Sequence, residues 1–285
     1  MKNIIFLSFA LLFTCSQAPE EQEVKKANND KVFKNVVILL DLSSRVKILD
    51  QSKKDQEIIK GILDIFENDQ RKYAFMASKD RLSVSLAYQN SSSFSLYNIG
   101  NNKFVIDMEI SKDNRINKPE FDKKRHELEL SVADLYNKAI KSPTDGADVW
   151  AFFCTDWVNI YQPQMRNKII ILTDGYLQFD SKISGQRQKG TYMTGLNLLR
   201  NNNDWEKIFT TKKLKLKPCA NKFENTEVLV LEVAPKDMHI NTNEFQIINN
   251  FWKTWFNDMK IESTIYKTDD VSANIKGKIQ EFLVK

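Results

Sequence analysis

The sequence predicts an α/β fold: a doubly wound, mostly parallel central sheet flanked by helices, with one antiparallel edge strand. Short apolar runs, Val36-Val37-Ile38-Leu39-Leu40 and Ile169-Ile170-Ile171-Leu172, stop abruptly at Asp41-Leu42-Ser43-Ser44 and Thr173-Asp174-Gly175. Unbroken apolar runs bounded by turn chemistry are the mark of strands buried on both faces. Between such runs lie segments with apolar residues at helical spacing. Strands alternating with helices produce a parallel sheet covered on both sides.

The opening residues read as a leader. Lys2 supplies a short positive start, and residues 4–14 form an apolar stretch too short to span a bilayer. The stretch closes on Leu12-Phe13-Thr14-Cys15, which resembles the lipobox of bacterial lipoprotein signal peptides. That resemblance implies cleavage after residue 14 and lipidation of Cys15, which would place the chain at a bacterial cell envelope, facing the periplasm or the cell surface. The alternative is an ordinary secretory signal cleaved nearby. Residues 15–31 are polar, charged and nearly free of large apolar side chains, so they read as a flexible tether. The folded region is expected over residues 32–285.

Within it, residues 35–42 form the first strand. Ile58, Ile59, Ile62, Leu63 and Phe66 mark a helix over 50–69, with Asp55 and Glu57 near its start, where the helix dipole favours acids. Residues 81–88 alternate as a half-buried strand, and FVIDMEI at 104–110 alternates again as its hairpin edge. A helix is expected over 119–141 and a second, aromatic one over 147–161. The central strand follows at 168, another buried strand at 227–233, an amphipathic helix at 243–260, a strand at 263–266 and a last helix at 271–283. In the amphipathic helix, Ile248, Trp252, Trp255 and Met259 share one face, which reads as core. The segment 176–226 is long for a connection. It carries a helix at 195–209 and the basic run Lys212, Lys213, Lys215 and Lys217, and reads as a solvated insertion, with a partner-binding flap as the alternative.

Composition narrows the function. The chain is 42% hydrophobic and 28% charged with a formal charge of +5, and no basic run is interleaved with aromatics, so a nucleic-acid groove is not expected. Glycine is scarce at 8, which argues against phosphate-cradling loops. His126 and His239 lie in unrelated segments, outside any zinc-ligand spacing, and there is no Gly-x-Ser-x-Gly elbow. An enzyme is therefore not expected. Cys154, in the apolar AFFCTDW, reads as a buried thiol rather than a partner of Cys219.

Two buried strands each deliver an aspartate to one rim, where open α/β sheets hold their ligands. The order of elements and these motifs resemble the von Willebrand factor A domain, whose metal-ion-dependent adhesion site combines Asp-x-Ser-x-Ser after the first strand, a Thr in a middle loop and an Asp after the fourth strand. Asp41-Leu42-Ser43 matches the first part, Thr144 the second and Asp174-Gly175 the third. The resemblance implies a Mg²⁺ or Mn²⁺ ion held by Asp41, Ser43, Thr144 and Asp174, helping to bind a protein partner. Arg45 stands where the pattern has its second Ser, and a guanidinium cannot ligate a cation. Asp145 or Asp148 are alternatives to Thr144, and a carboxylate–guanidinium pair is an alternative to the cation. Two other readings remain: a metal-dependent hydrolase using Asp41 and Asp174, and a structural domain with a degenerate site.

Overall fold

The computed structural model describes residues 32–72, 75, 77–87, 104–111, 114–141, 146–177, 191–236, 242–268 and 272–284. Cys15, Thr144, Asp145 and His239 lie outside the described residues. The region from Val32 to Lys285 forms one compact unit. Its centre is a six-stranded sheet in the order β3-β2-β1-β6-β7-β8. The strands are β1 (Lys34–Leu40), β2 (Arg81–Leu86), β3 (Val105–Asp107), β6 (Arg166–Leu172), β7 (Thr226–Val233) and β8 (Glu262–Lys267). Every pairing in it is parallel except β3 on β2, the expected antiparallel edge. The rest of the expected edge strand leaves the sheet: β4 (Glu109–Ser111) pairs with β5 (Asn114–Arg115) as a separate ribbon.

The apolar runs are continuous because both faces are covered. On β1, Val36, Ile38 and Leu40 face one helical layer, while Val37 and Leu39 face the other. The first layer is α1 (Gln51–Lys72), α2 (Lys118–Lys141) and α7 (Ser272–Val284), whose buried stripes meet the sheet through Ile62, Leu135 and Ile279. The second layer is α6 (Glu244–Asp258) together with residues 147–157 and much of 191–223. Trp252 and Trp255 are fully buried there, as the helical spacing predicts.

Three expectations are corrected. Residues 147–161 do not form one regular helix: α3 (Val149–Ala151) passes into a π-helical turn (Phe152–Asp156) and a 3-10 turn (Trp157–Asn159). The side chains explain the break, because Phe153 packs edge-on against both Trp255 and Phe256 while Trp157 stacks on Phe223. The described part of the insertion is not solvated. Its helices α4 (Leu196–Arg200) and α5 (Trp205–Thr211) bury Leu196, Leu199, Trp205 and Phe209, and Leu216 is fully buried beyond them. The lysine run is spaced by these core residues, and Lys215 pairs with Asp258 at 2.6 Å. Finally, Cys154 is not a free thiol but is disulfide-bonded to Cys219, with Cα atoms 4.9 Å apart, tying the π-turn to the end of the insertion. Among the described residues no helix is long and apolar enough to cross a membrane.

Candidate functional site

The rim lies at the carboxyl ends of the parallel strands, and main-chain hydrogen bonds continue past the strand ends to fix its loops. Asp41 N donates to Leu172 O at 3.0 Å, Thr173 N to Leu231 O at 3.2 Å, and Ala234 N to Asp174 O at 3.0 Å. These bonds hold Asp41 and Asp174 on adjacent strand exits. Register does the rest: Leu40 pairs with Leu172, so each aspartate leaves the sheet within a residue of the same level.

Asp41 turns back on its own loop. Its Oδ1 accepts from Ser43 N at 2.9 Å, and its Oδ2 accepts from the Thr173 hydroxyl at 2.7 Å. Asp174 Oδ1 accepts from Tyr176 N at 3.1 Å. Burial raises the Asp174 carboxyl to about 6, and the nearby Asp41 charge pushes the same way. Gly175 makes the turn possible. Its φ is +91°, and a β-carbon there would lie 2.7 Å from Val233 Cγ1, so a side chain is refused on two counts. Trp252 Nε1 donates to Gly175 O at 2.9 Å and pins the turn to α6.

Ser43 is buried, and its side chain does not cap the 3-10 turn (Ser44–Lys47) that follows. Asp148, weighed as a stand-in for Thr144, caps α3 instead by accepting from Ala151 N at 2.9 Å.

Arg45 does not pair with the rim carboxylates, which corrects the guanidinium-for-cation alternative. Its Nη1 and Nη2 donate to Asp55 at 2.7 and 3.1 Å, and Nη1 also donates to the main-chain oxygen of Asp41 at 3.1 Å. Both side chains are almost wholly buried. Burial alone would lower the Arg45 pKa, but Asp55 outweighs it and the guanidinium stays charged. Asp55 also accepts from the Tyr136 hydroxyl at 2.9 Å and from Gln51 Nε2 at 2.8 Å. So Asp55 is not an exposed dipole-matching acid at the start of α1 but the anchor of the Arg45 loop.

The structure adds residues that the sequence reading missed. Thr173 is one, and its signal is visible: a hydroxyl at the end of a buried run, one residue before the aspartate. Glu232 is another. Between Val230 and Val233, β7 carries one residue more than β8 opposite, and Glu232 sits there at φ +69°. Such a bulge reorients a side chain at the cost of strain. Strict alternation would place Glu232 with Val228 and Val230, but it meets α1 instead. It accepts from Gln51 Nε2 at 3.3 Å and Thr268 Oγ1 at 2.9 Å, and pairs with Lys54 Nζ at 3.0 Å. Further along the rim, Tyr176 donates to Glu244 at 2.5 Å, and Arg200 holds the same carboxylate through Nε at 2.6 Å.

Among the described residues, no group of three or more His, Cys, Asp or Glu side chains is placed to hold a metal. The rim's set differs in kind: two carboxylates and a hydroxyl, hard oxygen donors that suit Mg²⁺ or Mn²⁺ with water completing the shell. The Asp41 charge disfavours an ionised Asp174, a repulsion that such an ion would relieve. In donor chemistry these residues match a partial cation shell.

No protein-family model and no curated protein matches the chain. Among solved structures, it is similar to the pilus adhesin SpaC from Lactobacillus rhamnosus GG in its open conformation, with 14% identity and a TM-score of 0.40, covering 89% of this chain and 30% of that one. A second crystal structure of the same adhesin aligns with a TM-score of 0.39 at 14% identity, covering 89% and 30%. The human COPII-coat protein Sec24c aligns with a TM-score of 0.35 at 8% identity, covering 90% of this chain and 33% of that one. The chain thus spans about a third of the length of each.

Proposed function

We propose that the domain is a binding or assembly module of a bacterial cell envelope, presenting a divalent cation at its rim to a protein partner. The observation that carries this reading is the delivery of two carboxylates, the buried Asp41 and the half-buried Asp174, to neighbouring strand exits, with the buried Ser43 bonded through its N–H to Asp41. Asp41, Ser43 and Asp174 would hold the ion, with Thr144 as the remaining sequence candidate. The ion supplies an electrophilic position for a partner's carboxylate. The pairing of Arg45 with Asp55 supports the reading, since it takes the guanidinium off the carboxylates. The Cys154–Cys219 bond supports export, because disulfides persist in oxidising compartments. A lipid at Cys15 would anchor the domain to the membrane.

The test is a thermal melt of the parent with Mg²⁺, with Mn²⁺ and with chelator. An ion that binds only the native state stabilises it by mass action. Both ions should raise the melting temperature, and Asp174→Ala should remove the effect. A parent that melts identically in all three conditions leaves the second reading, a structural domain with a degenerate site. One observation favours that reading: both oxygens of Asp41 already have donors within the chain.

A further inference from the structure

A groove of about 720 Å³ opens beside the rim, between the loop that leaves Asp41, the first half of α1 and the end of α2. Its surface is aliphatic where burial would be expected: Leu49 is 88% exposed, Ile48 56% and Ile140 39%. Along α1, Lys53, Glu57 and Lys60 lie within about 60° of one another on the helix, opposite the buried stripe of Ile58, Ile59 and Ile62. Asp50 precedes them as the residue whose carbonyl accepts the first helical bond. All four charged side chains are exposed, and none forms an ion pair or side-chain hydrogen bond with another described residue.

We propose that this face is a contact between two copies of this chain, with the first halves of their α1 helices packed antiparallel across a two-fold axis. The charges select the register. With the axis level with Asp55, Lys53 of each copy faces Glu57 of the other, and Asp50 of each faces Lys60 of the other. These four charges, Lys47 of the same groove aside, all meet an opposite charge on their own antiparallel copy, and such a pattern is self-complementary, as a two-fold contact requires. The other signs of the same surface agree. In this register the exposed Ile48–Leu49 tip of one copy comes level with the Lys60 end of the other's groove, so apolar surface left in water by one chain is covered by its twin. A partner of one net charge would satisfy only half of this alternating set. The contact is short, about 15 Å along the helix, so the dimer is expected to be weak and to loosen in high salt. It does not depend on a cation at the rim.

The test is sedimentation velocity of the full chain in density-matched detergent, over a range of concentrations and at two salt levels. A concentration-dependent dimer is expected. Lys53→Glu alone and Glu57→Lys alone each set like charges opposite one another twice and should weaken it roughly tenfold. The double variant Lys53→Glu with Glu57→Lys restores opposite signs and should restore the dimer. Both substitutions are at exposed positions, so each of the three variants should melt as the parent does. A chain that stays monomeric throughout overturns the proposal, as does a dimer that ignores the single variants or fails to recover in the double one.

Discussion

Arg45 follows Asp41 by four residues, yet its guanidinium is directed at Asp55, ten residues on and in another element. That pairing has an energetic consequence that can be measured. Both side chains are nearly inaccessible to water, so removing one partner strands a buried charge. Arg45→Ser would supply the second Ser of the Asp-x-Ser-x-Ser pattern, but it would leave the Asp55 carboxylate with Tyr136 and Gln51 alone. The expected cost is about 3–5 kcal/mol in urea unfolding. Replacing both partners by apolar side chains of similar volume, Arg45→Met with Asp55→Leu, should recover most of it. A fully stable Arg45→Ser would show that the pair holds nothing together. The residue scale is also where sequence legibility divides. Asp41 and Asp174 could be read from the sequence because each ends an apolar run. Asp55 could not, because its partner depends on how the loop folds over α1. Glu232 could not either, since a bulge breaks the alternation by which strand faces are read.

At the scale of elements, the long regular pieces follow their patterns. α1, α2, α6 and the four central strands fall close to the expected places, because burial on known faces enforces period and register together. The region around the second helical layer does not follow. Residues 147–159 contain no glycine or proline to announce a break, and the π-turn arises from aromatic packing across the layer. The insertion's length and lysines suggest a solvated segment, but its apolar positions, Leu199, Phe209, Leu214 and Leu216, are separated by polar ones and reach the core from short helices and irregular chain. The disulfide joins these two misread segments across a separation of 65 residues. Closing a loop of that size restricts the unfolded chain, and in the loop-entropy account it adds roughly 4 kcal/mol of stability. Reduction should therefore lower the melting temperature by many degrees while the folded signal survives at room temperature, since the insertion also packs through Trp205 and Leu216. Equal melts with and without reductant would mean that the bond contributes little.

At the scale of the whole molecule, carboxylates tie elements together within each helical layer and tie the first layer to the sheet, and this sets the response to acid. Glu67 of α1 is held by Arg125 of α2 at 2.5 Å and by Arg71. Asp69 of α1 is held by Lys34 of β1 at 2.8 Å. Glu244 of α6 is held by Arg200 and Tyr176 of the insertion. Burial alone would raise all three pKa values, but the hydrogen-bonded cations outweigh it and each lies below its usual value of 4.5 or 3.8. A carboxyl whose folded pKa is depressed contributes stability that is complete above its unfolded value and is lost as pH falls through the folded one. Asp174 runs the other way: with its folded pKa raised to about 6, it favours the fold on the acid side and loses that contribution as pH rises through this value. The Asp174 contribution develops as pH falls from about 6 to the group's ordinary value of 3.8 and is complete below it, whereas the three ties are lost from about 4.5 downward, so the two oppose each other at about pH 4–5 and only the ties act below. Below about pH 4 the urea midpoint should fall steadily as the three ties are protonated. Glu244→Gln keeps the shape of the side chain but cannot titrate, so it should lower the midpoint at neutral pH and make the decline below pH ~4.5 shallower. A parent whose midpoint stays flat through that range, or a Glu244→Gln variant with an unchanged slope, would show that the layers are held by their apolar cores and that these carboxylates contribute no measurable stability.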